Sequence, residues 1–188
     1  MEQLIGKVEK WFIDRNLHSL NGAGQLTKLT EEVRELEDAF ISDDRFEEID
    51  AVGDIMVVLI GYCMQRDLDI MDCLASAYEE IKDRIGVTRM GQLIDKVEWW
   101  FVDRNLHSLS GAEQLTKLNE EVRELEDAFI SNDRAEEIGA VGDIMIVLIG
   151  YCMQRDLYIQ YCLASAYEEI KDRKGKVIDG VFVKEADL

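Results

Sequence analysis

Apolar residues recur at three- to four-residue spacing along most of the chain, and the pattern predicts helices. Leu4, Ile5, Val8, Trp11 and Phe12 form one stripe, which predicts a helix over Glu2–Asn16. Leu26, Leu29, Val33, Leu36 and Phe40 predict a second over Gly24–Ile41, and Asn21-Gly22 marks the turn before it. Ser42-Asp43-Asp44 ends that helix and offers a cap to a third over Arg45–Arg66. The third is amphipathic at first and nearly all apolar after Asp54, as expected of a central, buried helix. A fourth over Asp69–Arg84 ends in Lys82 and Arg84, which suit the negative end of a helix, with Gly86 just beyond.

The pattern then repeats. A shift of about 89 residues aligns Gln3–Gly86 with Gln92–Gly175 without a gap, and about 14 of roughly 84 positions differ. The second set of helices is expected at Gln92–Asn105, Ala112–Ile130, Arg134–Arg155 and Tyr158–Arg173. The fold class that follows is all-α: two tandem four-helix units, residues 1–89 and 90–188, packed as a pseudo-dimer. Each copy is small for an isolated core, so burial between them is expected. A tail, KGKVIDGVFVKEADL, belongs to the second copy alone, and its Asp179-Gly180 reads as the turn of a small β-hairpin. Four of the differences between the copies remove acids: Asp43, Asp50, Asp69 and Asp72 become Asn132, Gly139, Tyr158 and Tyr161.

Composition narrows the function. The chain of 188 residues carries 40 Asp+Glu against 21 Lys+Arg, a formal charge of -19. That balance excludes a basic phosphate-tracking surface, so no nucleic-acid substrate is expected, yet it favours a hard cation. No apolar run reaches membrane-spanning length, so no membrane partner is expected. The N-terminus lacks a basic leader, and Cys63, Cys73, Cys152 and Cys162 lie in apolar periodic segments without a CxxC pair. Buried reduced thiols and a cytoplasmic location are expected.

Candidate chemistry lies in carboxylates. Glu31-Glu32-x-x-Glu35 sits on the second helix, and Glu32 and Glu35 share a face. Asp50 and Asp54, four apart, sit on the third, with Glu47 a turn back. Antiparallel packing of the two helices would bring these pairs opposite each other. Four facing carboxylates repel one another unless a divalent cation neutralises them, and all-oxygen ligands select Mg²⁺, with Mn²⁺ as a substitute. Gly53, in mid-helix beside Asp54, implies a close approach by a ligand or a helix. Glu37, Asp38, Glu47 and Glu48 also read as a solvated face. His18 and His107 fall in loops, and neither Glu-x-x-His, nor a phosphate-cradling glycine loop, nor a nucleophile elbow is present.

EEVRE on one helix, QLTKLTEE leading into it, and an acidic pair ending in Asp before a VVL run resemble the MazG-like nucleotide pyrophosphohydrolases of the all-α NTP pyrophosphatase superfamily. The tail resembles that of phage-encoded members. The resemblance implies Mg²⁺-dependent hydrolysis of nucleoside triphosphates to monophosphate and pyrophosphate. It implies Glu32, Glu35 and Asp54 as metal ligands, Asp50 standing in for a family glutamate that would fall on Ala51, and Glu121, Glu124 and Asp143 in the second copy. Glu31 or Glu47 would serve as base, a choice the sequence leaves open. Lys28 occupies the family's basic position, Lys174 is a candidate contact from the tail, and Lys82 and Arg84 are candidates for phosphate contacts as much as for helix-end charge pairing; Trp11, Phe12 and Tyr78 are candidates for holding the nucleobase as well as for plain core packing. Relatives often carry Asn where this chain has Glu79. With Gly139 in place of the fourth acid, the second copy is expected to be the weaker site, and the tail to fold over a site built mostly by the other copy. A further homodimer, and a non-catalytic acidic protein binding a basic partner, stay open.

Overall fold

A computed structural model of the protein describes residues 1–82, 93–178 and 181–185. Among them the chain forms eight α-helices: α1 (Glu2–Asp14), α2 (Ala23–Ser42), α3 (Arg45–Gln65), α4 (Ile70–Lys82), α5 (Leu93–Asp103), α6 (Ala112–Ser131), α7 (Arg134–Gln154) and α8 (Ile159–Ile170). Two strands, β1 (Gly175–Ile178) and β2 (Val181–Lys184), pair antiparallel, and the expected Asp179-Gly180 turn lies outside the described residues. The all-α architecture is the one the periodicity predicts, and each helix end moves by less than one turn.

Local chemistry explains the breaks. Asp43 takes a left-handed conformation (φ 52) that stops α2. Asp44 then accepts hydrogen bonds from the Phe46 and Glu47 amides at 3.0 and 3.3 Å, capping α3. Asp133 does the same for α7. All four cysteines are buried and free.

The compact units do not follow the boundary between residues 89 and 90. Unit 1 is Met1–Leu68 with Gln160–Leu188, and unit 2 is Asp69–Ile159. Unit 1 therefore holds α1, α2, α3, α8 and the hairpin, whereas unit 2 holds α4 to α7. Each unit takes three helices from one copy and its fourth from the other. The cause is visible at Gly53. A Cβ there would run into the Cys162 carbonyl oxygen and the Ala166 methyl of α8. Gly142 meets Cys73 and Ala77 of α4 in the same way in unit 2. The mid-helix glycine is thus explained by a neighbouring helix, whose contact offsets the roughly 1 kcal/mol that glycine costs there.

In unit 1, α1 secures the end of α8. The Trp11 indole N–H donates to the Ile170 carbonyl at 2.7 Å, and Arg15 donates to the Arg173 carbonyl at 2.7 Å. These bonds satisfy carbonyls that a helix end leaves without partners. Phe182 of β2 meets Trp11 edge-on, ring centres 5.3 Å apart, so the hairpin packs on the same spot. Among the described residues no helix is long and apolar enough to cross a membrane.

Candidate functional site

In unit 1 the acidic residues of α2 and α3 meet, and α8 adds to them. Glu32 is the deepest, with 5% of its surface exposed. Its Oε1 lies 3.4 Å from the Lys28 ammonium, whereas its Oε2 is buried without a hydrogen-bond partner. Burial, followed by the charge of Glu35, pushes the Glu32 carboxyl above its ordinary range against the pull of Lys28. Asp54 is pushed up to about 7, first by burial and then by the charges of Glu32 and Asp50. Asp50 is pushed up to about 6 by burial and by Glu169 of α8, with which it shares a hydrogen bond. The Asp50 Oδ1 is a second buried oxygen without a partner. Arg173 pairs with Glu169 at 3.2 Å and draws the Asp50 and Asp54 values back down.

The remaining candidates lie around this centre. Glu31 is exposed and pairs with Lys28 at 2.7 Å. Glu35 and Glu47 are exposed and line one groove together with Asp38, Ala39 and Ser42. Glu35 therefore does not turn inward beside Glu32. Residues three apart on a helix differ by about 60° in direction, and that is enough to put one in the core and the other at its rim. As the side chains stand, no three of these groups among the described residues close around a common point. Trp11 is buried and spends its N–H on α8. Lys174 is exposed at the base of the hairpin, where its carbonyl accepts from the Glu185 amide at 2.8 Å. Tyr78 and Lys82 sit on α4 and so belong to unit 2; their counterparts in unit 1 are Tyr167 and Lys171. Arg84 lies outside the described residues.

Unit 2 repeats the plan with changes. Glu121 is as buried as Glu32, but Lys117 approaches it to 2.9 Å while also holding Glu120 at 2.8 Å. Glu124 is exposed, and the charge of Glu121 raises its carboxyl above the ordinary range. Asp143 is pushed up to about 6 by burial, then by Glu121, Glu80 and Glu124. Gly139 stands where Asp50 stands in unit 1.

Sequence reasoning missed two things. Glu48 read as part of a solvated face, yet it and its counterpart Glu137 are fully buried. The signal was present: Glu48, Val52, Ile55 and Leu59 fall on one stripe of α3. Glu169 and Arg173 were missed because they come from the other copy.

The donor set suits a hard divalent cation. The candidate ligands Glu32, Asp50 and Asp54 are all carboxylates, two of the oxygens are buried without partners, and three like charges are held where burial already disfavours them. Comparison with curated proteins and with solved structures finds no match. The family model for phosphoribosyl-ATP pyrophosphohydrolase matches twice, over residues 2–80 and 89–174. The chain therefore belongs to the phosphoribosyl-ATP pyrophosphohydrolase family, pyrophosphohydrolases within the MazG-like all-α NTP pyrophosphatase superfamily.

Proposed function

We propose that the protein is a Mg²⁺-dependent nucleoside triphosphate pyrophosphohydrolase, releasing a nucleoside monophosphate and pyrophosphate, with Mn²⁺ able to replace Mg²⁺. One observation carries the reading: the Glu32 carboxylate, buried with a partnerless oxygen beside Asp54. Left without a cation, that arrangement costs stability and gives nothing in return.

Glu32, Asp54 and Asp50 would hold the ion, with Glu35 turning in from the rim. When bound, the ion neutralises the triphosphate and polarises the phosphorus under attack. The rest falls to side chains. Glu31 is occupied by Lys28, so Glu47 is the better base: it is free to orient a water in the groove it shares with Glu35 and to accept its proton. Lys28, on the lip of the site, can exchange a carboxylate for a substrate phosphate, and Arg173 can leave Glu169 for the departing pyrophosphate. Glu169, sharing a hydrogen bond with Asp50, positions it.

A screen of the common NTPs and dNTPs together with phosphoribosyl-ATP, with and without Mg²⁺, tests the reading. Pyrophosphate and monophosphate are the expected products from at least one of them. No release from any, no effect of Mg²⁺ or Mn²⁺ on thermal unfolding, and tight capture of a basic protein would favour the non-catalytic alternative.

A further inference from the structure

The two acidic centres differ in one respect that bears on how many ions a chain can hold. In unit 1 Lys28 pairs with Glu32 at 3.4 Å through Oε1, yet the other Glu32 oxygen and one of Asp50 are left buried without partners. In unit 2 the lysine lies closer: Lys117 is 2.9 Å from Glu121. The fourth acid is missing at Gly139, which removes a carboxylate that would help hold a cation.

We propose that each chain carries one divalent-ion centre rather than two, and that in unit 2 the Lys117 ammonium stands permanently where the ion stands in unit 1. This rests on the function proposed above and specifies it: one catalytic centre per duplicated chain. A buried carboxylate needs a positive partner, and either a metal or an ammonium supplies one. In unit 2 the ammonium lies closer, 2.9 Å against 3.4 Å, so an ion would have to displace it and would find one ligand fewer. Unit 1 has oxygens already committed to burial and still waiting. The difference is reversible, because a Cβ built on Gly139 meets nothing within 4 Å. An aspartate therefore fits where Asp50 sits in the other copy.

Mn²⁺ binding to the full chain, counted by electron paramagnetic resonance of the free ion, tests this without recourse to activity. Expected are loss of the tight ions in Asp54→Asn and a capacity in Asp143→Asn equal to that of the unaltered chain. Gly139→Asp combined with Lys117→Gln should roughly double the capacity. Circular dichroism of each variant confirms that it is folded. If Asp54→Asn and Asp143→Asn each halve the capacity, the inference is overturned while the function stands. If the unaltered chain holds no tight Mn²⁺ at all, the proposed function falls, and this inference with it.

Discussion

The acidic centres of unit 1 and unit 2 are built from nearly the same sequence and are left in different electrostatic states. Glu32 and Glu121 are equally buried, and Gly53 and Gly142 admit a fourth helix in the same way. Shared scaffolding therefore does not account for the difference; a single substituted residue and the reach of one lysine do. Asp50 brings a second partnerless oxygen and a link to Glu169, and Gly139 brings neither. On the proposal of a single ion centre, the duplicated chain keeps two copies of a core and one copy of a site, because the core is specified by many contacts and the site by few.

The largest expected effect breaks the comparison directly. Asp54→Asn should lower pyrophosphate release by at least about 100-fold, or roughly 3 kcal/mol of activation free energy. Asp143→Asn should lower it by less than about twofold, on the order of 0.4 kcal/mol. Steady-state kinetics at saturating Mg²⁺ reads both. Equal losses would mean that the two centres work alike and that Gly139 is of no consequence.

Much of this was legible beforehand. The helices were, because α1, α2, α4 and α8 carry clean stripes and α3 and α7 are too apolar to be anything but central. Gly53 was legible as a point of close approach, and Asp44 as a cap. The exchange of the fourth helix was not, for a physical reason: α4 and α8 carry the same Cys-x-x-x-Ala surface, Cys73 with Ala77 and Cys162 with Ala166, so either fits against Gly53 or Gly142. Side-chain pattern cannot distinguish two partners that present identical faces. The site was only partly legible. Asp54 feels the charges of Glu32 and Asp50 without the three closing around a common point, Glu35 stays at the rim, and Glu169 arrives from a helix about 115 residues along the chain from Asp54. Glu48 was misread because a lone acid at the start of an amphipathic helix was grouped with its exposed neighbours.

A medium-sized effect sharpens the comparison through pH. Asp54 and Asp143 both hold their protons more tightly folded than unfolded, at about 7 and about 6. For an acid with a raised folded value, the stabilisation is complete below the unfolded value near 4 and is lost as pH rises through the folded value. Without divalent ions, thermal stability should therefore fall between pH 4 and pH 7. The loss should be on the order of 2 kcal/mol, after allowing for solvent screening. Asp54→Asn should flatten the curve up to about pH 7, and Asp143→Asn only its part below about pH 6. Melting curves of the three proteins across that range, with chelator present, measure it. Identical pH profiles would show that neither carboxylate is buried as a charge.

The smallest effect concerns two glycines three residues apart on α7. Gly142 has its Cβ position filled by the Cys73 carbonyl and Ala77, whereas Gly139 has open space. Both pay the same entropic cost for standing in a helix, but only Gly142 receives a packing contact in return. Gly139→Ala should therefore stabilise the protein by about 0.4–1 kcal/mol, raising Tm by roughly 1–4 °C. Gly142→Ala should destabilise it, because the α4 backbone would have to move. Differential scanning calorimetry separates the two signs. A gain at Gly139 would mean that the residue persists for no reason of packing, in keeping with a position whose acid was lost after duplication. A loss there would reveal a hidden contact, and with it a reason for the empty corner of the second site that has nothing to do with ions.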